Sequence, residues 1–113
     1  MAFESISPIK LGRGAIATTP TLTTLRTTPG LTRDIVKCID ICNTTTGVLT
    51  VTVYLVESGG TAGASNTLIP TITLNGNTPF QWTGTQVLNV GDTIQATASG
   101  AGITINVSGG EAV

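Results

Sequence analysis

The apolar residues of this chain recur at every second position over several segments, and this period of two is the strongest constraint on its fold. The alternation is clearest in VLTVTVYLV, residues 48–56, and in ITINVSG, residues 103–109. Successive side chains of a strand point to opposite faces of a sheet, so the pattern predicts strands with one buried face. No segment has the 3.6-residue spacing of an amphipathic helix over a useful length. The sequence therefore predicts strands rather than helices.

Turn signals separate seven or eight such segments at short intervals. This arrangement predicts an all-β fold, an antiparallel β-sandwich or jelly roll. The segment GAG, residues 100–102, is expected to close a hairpin between the last two strands. The segment RDIVKCIDICN, residues 33–43, is apolar on both faces, and a regular strand would place Ile35, Lys37 and Ile39 on one of them.

The first 20 residues differ from the rest of the chain. They contain scattered apolar residues, two prolines and two glycines, without a period of 2 or 3.6. This pattern suits an extended segment that lies on its own domain, on a neighbouring copy or on a third protein. We therefore expect an extended N-terminal arm, residues 1–20, and a β-sandwich domain, residues 21–113. Candidate partner-binding residues of the arm are four apolar anchors and two cations: Phe3, Ile6, Ile9, Leu11, Lys10 and Arg13.

Composition supports a single folded domain. Charged residues make up 10% of the 113 residues, and the mean hydropathy is +0.35. Disordered chains combine low hydrophobicity with high net charge, which is the opposite composition. A chain of this length can bury roughly two-thirds of its unfolded surface, so it can form a core without metals or disulfides.

Charge is distributed unevenly along the chain, although the net charge is only −1. All five basic residues lie among the first 37 residues, which also hold two acidic residues and so carry a net charge of +3. Residues 38–113 contain four acidic residues and neither lysine nor arginine, for a net charge of −4. Such an asymmetry points to a surface that binds a partner.

The sequence is poor in residues that could catalyse a reaction. It has no histidine, which is the commonest general base, and its six acidic residues are scattered. Cys38 and Cys42 would lie about 13 Å apart along a strand, too far for a disulfide. Without histidine they also make no zinc site. We therefore predict no enzymatic activity and no catalytic, cofactor-binding or metal site.

Other partner classes are also poorly matched. Five cations in a net acidic chain are few for neutralising the phosphates of a nucleic acid. No apolar run approaches the roughly 18 residues of a membrane helix, and the N-terminus does not have the pattern of a signal peptide. Trp82 and Tyr54 are candidate exposed aromatics that could stack on a sugar. In the competing interpretation, Phe80 and Trp82 share one face and fill the core.

Read from end to end, the chain resembles a family of small virion proteins from tailed bacteriophages and prophages. The resemblance covers nearly the whole chain and rests on recurrent features: the N-terminal arm MAFESISPIKLG, the turn CNTTT, the loop SGGTAGASN, and the segments QWTGTQVL, GDTIQA and SGGEAV. These features are not catalytic motifs. The stretch RTTPGLTRDIVKC, which contains all three of the basic residues that follow the arm, fits the pattern least well.

The resemblance implies a virion component assembled in the cytoplasm of a bacterial host. Our first hypothesis is a capsid decoration, or cement, protein that binds the major capsid protein through its sandwich and arm. The alternative is a neck or tail protein that binds other neck or tail proteins. A lesser alternative is a glycan-binding module for host recognition. In each case we expect a homo-oligomer, because the edges of the sandwich need to be covered. A trimer is the first hypothesis for the number of copies.

Overall fold

The computed structural model describes residues 6–19 and 21–112, which form eight β-strands and one turn of 3₁₀ helix at Ala64–Asn66. The strands are β1, Ile6–Ala15; β2, Thr23–Thr27; β3, Arg33–Asn43; β4, Leu49–Val56; β5, Thr67–Leu74; β6, Pro79–Leu88; β7, Thr93–Ala98; and β8, Ile103–Ala112. This confirms the all-β class predicted from the period of two.

The strands form two antiparallel four-stranded sheets. The first sheet has the order β1-β8-β3-β6, and the second has the order β2-β7-β4-β5. Six of the seven connections between these strands pass from one sheet to the other, and β4 and β5 alone are both consecutive and paired. The result is an eight-stranded jelly roll, in which strands that neighbour each other in a sheet are mostly distant in sequence.

The expected hairpin at residues 100–102 is wrong. β7 lies in the second sheet and β8 in the first, so the turn between them is a corner that joins the sheets. Gly102 has a φ of +116°, a conformation that favours glycine. The main-chain N–H and the hydroxyl of Thr44 donate to the Gly102 carbonyl, at 2.9 and 2.7 Å, and hold the corner against the end of β3.

The core between the sheets is aliphatic. Its most deeply buried side chains come from the four central strands β3, β8, β4 and β7: Val36, Ile39, Ile41, Ile103, Ile105, Val107, Val51, Val53, Ile94, Ala96 and Ala98. Phe80 and Trp82 of β6 are partly buried and pack against this cluster. Fully burying a valine or isoleucine side chain stabilises the fold by about 1.5–3 kcal/mol, so the core supplies the main driving force.

A β-bulge in β3 changes which of its residues face the core. Val36 pairs with Gly109 of β8 and Cys38 pairs with the adjacent Ser108, so Lys37 is an extra residue without a partner in β8. One extra residue exchanges the two faces of the strand beyond it. Val36 and Ile39 therefore both face the core. The regular strand expected from the sequence, with Ile35 and Ile39 on one face, is wrong for this reason.

Residues 6–16 are part of the sandwich, so the boundary expected at residue 20 needs correction. β1 is an edge strand of the first sheet, paired antiparallel with β8. Leu11 and Ile16 are 3% and 4% exposed and lie in the core. Lys10 and Gly12 pair with adjacent residues of β8, so Leu11 is a bulged residue, which explains why this segment lacks a period of two. Residues 1–5, including the candidate anchor Phe3, lie outside the described residues.

Asn43, the last residue of β3, joins two turns at one end of the sandwich. Its side chain is fully buried. Nδ2 donates to the carbonyl oxygens of Gly47, Leu74 and Asn75 at 2.8, 3.0 and 3.2 Å, and Oδ1 accepts from the N–H and hydroxyl of Thr45 at 3.0 and 2.7 Å. The amide thereby ties the β3–β4 turn to the β5–β6 turn and leaves none of its polar atoms unsatisfied.

Leu11→Ala should lower the free energy of unfolding by about 2–5 kcal/mol, because it removes a core side chain and leaves a cavity. Ile6→Ala is the matched control on the same strand, since Ile6 is 64% exposed, and it should change stability by no more than about 0.5 kcal/mol. Urea unfolding followed by circular dichroism measures both. Equal stabilities for the two variants would contradict the assignment of β1 to the sandwich.

Candidate functional site

Four of the five basic residues lie on the outer face of the first sheet. Lys10 and Arg13 come from β1, and Arg33 and Lys37 from β3, and all four are exposed. They share this face because the residues beside them in each strand point into the core, as Leu11, Asp34 and Val36 do. The sheet thus collects cations that are up to 27 positions apart in the sequence.

A shallow trough of about 440 Å³ lies beside these cations. Its lining is mostly apolar and consists of Ile6, Pro8, Ile35, Lys37, Thr85, Gly109 and Gly110. Pro8, Gly110 and Ile35 are cross-strand partners in one row, so the missing side chain of Gly110 leaves a gap at its centre. At the rim, Lys37 Nζ donates to Thr85 Oγ1 at 2.9 Å. We call the trough and the four cations the basic face.

Asp40 is the one carboxylate on this sheet surface within residues 6–19 and 21–112. Its Oδ1 accepts a hydrogen bond from Gln81 Nε2 at 2.8 Å, and its Oδ2 lies 3.6 Å from Cys38 Sγ. Desolvation, and then the neighbouring Asp40 charge, raise the pKa of the Cys38 thiol. A raised pKa keeps the thiol protonated at neutral pH and lowers its reactivity, so Cys38 is not an activated nucleophile.

The outer face of the second sheet has a different chemistry. Among the residues that the structure describes it carries no acidic or basic side chain and is dominated by threonine: Thr24, Thr27, Thr50, Thr52, Tyr54, Thr67, Thr71, Thr73, Thr93, Gln95 and Thr97. Thr52 and Thr71 hydrogen-bond to each other across strands at 2.7 Å. The two faces of the sandwich therefore present different surfaces to a partner.

The structure divides the residues predicted for the arm between two environments. Ile6, Lys10 and Arg13 lie on the basic face and are exposed. Ile9 packs against the core and Leu11 lies within it. Leu11 is therefore not available as an anchor for a partner, because the bulge turns it inward.

Sequence reasoning missed the remaining lining of the trough. The sequence pattern places Pro8 in the arm and Ile35 in a strand without indicating a function for either, and the Gly109-Gly110 pair is part of the family resemblance. The pair did carry a signal, because glycine inside a strand marks a bulge or a place where another group approaches closely. A side chain at Gly109 would collide with the carbonyl oxygen of Ile35, and Gly110 leaves the trough open.

The two candidate aromatics do not come together. Trp82 pairs with the buried Ile39, so it lies on the core side of β6 and is partly buried. Tyr54 is on the outer face of β4, in the opposite sheet, beside its cross-strand partner Gln95. A shared stacking platform would need both rings on one surface, and the jelly roll places them on different ones.

A buried ion pair joins the two sheets near the other end of the sandwich. Arg26 of β2 donates from Nε and Nη2 to both carboxylate oxygens of Asp34 of β3, at 2.7 and 2.9 Å, and from Nη2 to Glu111 of β8 at 3.1 Å. Asp34 is fully buried and also accepts from the Thr28 hydroxyl at 2.9 Å. The hydrogen bond to Asp34 raises the pKa of Arg26, so the guanidinium stays charged, and its contacts connect the two sheets.

The described part of the chain shows neither a metal-binding cluster nor a membrane-spanning helix. Its cysteine, aspartate and glutamate residues form no group of three or more that could hold a metal ion. Its helical content includes no segment long and apolar enough to cross a membrane.

Comparison with known proteins identifies the fold. The chain matches no protein-family model and no curated protein sequence. It is similar to a chain in the structure of infectious bursal disease virus, Gx strain, with a TM-score of 0.54 and 15% identity over 96% of this chain and 31% of that chain. A chain in the crystal structure of the T13 particle of the same virus gives a TM-score of 0.52 and 14% identity over 96% and 30%. This chain thus spans less than a third of the length of the chains it matches, and the similarity is one of fold.

Arg26→Met should lower the free energy of unfolding by about 3–5 kcal/mol, because it leaves the buried Asp34 carboxylate without its counter-charge. Arg13→Met, the same substitution at an exposed position, should cost no more than about 0.5 kcal/mol. The double variant Arg26→Met, Asp34→Asn should regain part of the loss, since no charge then remains buried. Urea unfolding measures these variants and the single variant Asp34→Asn. Losses of stability that simply add in the double variant would argue against direct coupling of the two side chains.

Proposed function

We propose that this chain is a structural protein of a virus particle, and more specifically a decoration protein on the head of a tailed bacteriophage. The observation that carries the proposal is the eight-stranded jelly roll, whose fold matches chains from virus particles over 96% of this chain. The tailed-phage assignment rests on the sequence resemblance. The role needs binding rather than catalysis, and it locates the protein in the virion after assembly in a bacterial cytoplasm.

The basic face is the surface proposed to contact the shell. Lys10, Arg13 and Lys37 would pair with carboxylates of the major capsid protein, while the trough takes an apolar side chain between them. Exposed ion pairs are each worth about 1 kcal/mol or less, so a single site of this kind binds weakly. Association of copies into an oligomer would compensate, because linked copies bind the shell multivalently and attach more strongly without new contacts.

An acidic protein surface suits this face better than nucleic acid does. Its four cations share the surface with an apolar trough that Lys37 lines, and Asp40 adds a negative charge to the same surface. Non-specific nucleic-acid binding depends on a denser row of cations along the phosphates, commonly with aromatic rings for stacking. The aromatic residues of the described sheets lie elsewhere, with Trp82 toward the core and Tyr54 on the opposite face.

Copy number in purified particles tests the proposal. Quantitative mass spectrometry should give one copy per major capsid subunit, or a simple fraction such as one per three. A ratio about a hundredfold lower would replace the decoration role by the neck or tail alternative. Absence of the chain from particles would overturn the virion assignment.

The double charge reversal Lys10→Glu, Lys37→Glu should weaken binding to particles that lack the protein by at least about tenfold, since it replaces two attractive contacts by repulsive ones. Co-sedimentation at low and at physiological salt measures the binding. The wild-type affinity should also fall as salt rises, because exposed charges are screened over about 8–10 Å.

Thr73→Glu is the matched control for this experiment. Thr73 is exposed on β5, on the uncharged face of the second sheet, so the added carboxylate should leave particle binding unchanged. Equal binding by the double variant and the wild type would move the contact away from the basic face.

A further inference from the structure

We propose that β6 is a self-association edge, and that two copies of this chain pair their β6 strands antiparallel about a twofold axis close to Thr83. The inference goes beyond the proposed function, because it concerns the isolated protein and does not depend on any particle. β6 is one of the two edge strands of the first sheet. Its residues Thr83–Val87 are exposed in succession, so nothing in the described chain covers this edge.

The other three sheet edges each carry features that oppose strand addition. β1 contains Pro8 together with Lys10 and Arg13, and β5 contains Pro70 near its middle. β2 has only five residues. Proline lacks a donor for the ladder, charged side chains repel an incoming strand, and a short edge offers few hydrogen bonds.

β6 lacks most of these features. Its ten residues, PFQWTGTQVL, include no charged side chain, and Pro79 stands at the first position, where proline is tolerated in a strand. A bulge opposite Lys37, at Gly84 and Thr85, bends the strand but leaves its outer edge uncovered. An uncharged ten-residue edge is a template for another strand.

The absence of charge also identifies the second strand as another β6. In a twofold antiparallel pair, residues near the axis face their own counterparts about 5 Å apart, so any charge there would oppose a like charge. A pair of β1 strands would bring the cations of the two copies together. A pair of β6 strands would bring together uncharged residues, among them threonine, glutamine and tryptophan. β6 is thus the edge of the described sheets best suited to pair with itself.

Open space around β6 provides room for the second copy. A groove of about 500 Å³ is lined in part by Gln86, Val87 and Leu88, and a smaller one of about 280 Å³ also includes Gln86. Thr85 lines the trough on the opposite side of the sheet. Val87 of β6 and Val90 just after it are 53% and 51% exposed and add apolar surface at this edge. Pairing would bury part of this surface along with the backbone edge.

Analytical ultracentrifugation of the full chain tests the inference. The wild type should form a dimer over micromolar concentrations. Thr83→Lys and Thr83→Glu should each raise the dimer dissociation constant at least about tenfold, because like charges then face each other across the axis. An equimolar mixture of the two variants should restore the dimer, because the opposed charges are then of opposite sign.

Thr73→Lys supplies the matched control, since it places the same charge on the edge strand of the other sheet and should leave the dimer intact. Circular dichroism and thermal unfolding check that each variant keeps its fold. Hydrogen exchange should show amides of β6 protected in the wild-type dimer and exchanging faster in Thr83→Lys. A monomeric wild type, a trimer in place of the dimer, or a Thr83→Lys variant that dimerises like the wild type would overturn the proposal.

Discussion

The fold depends on two buried polar side chains that fix the two ends of β3. Near its start, Asp34 is held by Arg26 of the opposite sheet, and at its end Asn43 is held by carbonyl groups of two turns. In a jelly roll most connections cross between sheets, so the loops at both ends determine which strands become neighbours. A buried polar group without its partner is costly, and this cost penalises any other arrangement of these loops.

The strands anchored in this way give the molecule two faces of distinct chemistry. Side chains alternate across the first sheet, so the residues between the buried aliphatic ones, including the cations and part of the trough lining, lie on the outer face. The basic face is therefore supported by the core directly beneath it, with Lys10 next to the buried Leu11 and Lys37 next to the buried Val36. The threonine surface of the second sheet is built in the same way but without charge, so the sandwich is polarised across its thickness.

The period of two was sufficient to predict the all-β class and most strands, because a strand with one buried face has apolar residues at alternate positions. It failed at Leu11 and Lys37, where a single extra residue exchanges the faces without any local signal. The turn before β8 was recognised by its glycines, but turn chemistry does not say into which sheet the chain returns. Of the basic face, the sequence identified Lys10, Arg13 and Ile6, whereas Ile35 and Lys37 came together with them only through strand pairing.

The pairing of β1 with β8 also constrains when the protein can fold during its synthesis. Within the described chain β1 has β8 as its one ladder partner, although about 90 residues separate the two strands in sequence. β3 likewise lies between β8 and β6, both of which are made later. While the chain is still being translated, the first sheet lacks the strand that lies between β1 and β3. The first sheet is therefore completed only when β8 has left the ribosome, and until then β1 and the β8-facing edge of β3 must stay unpaired without aggregating.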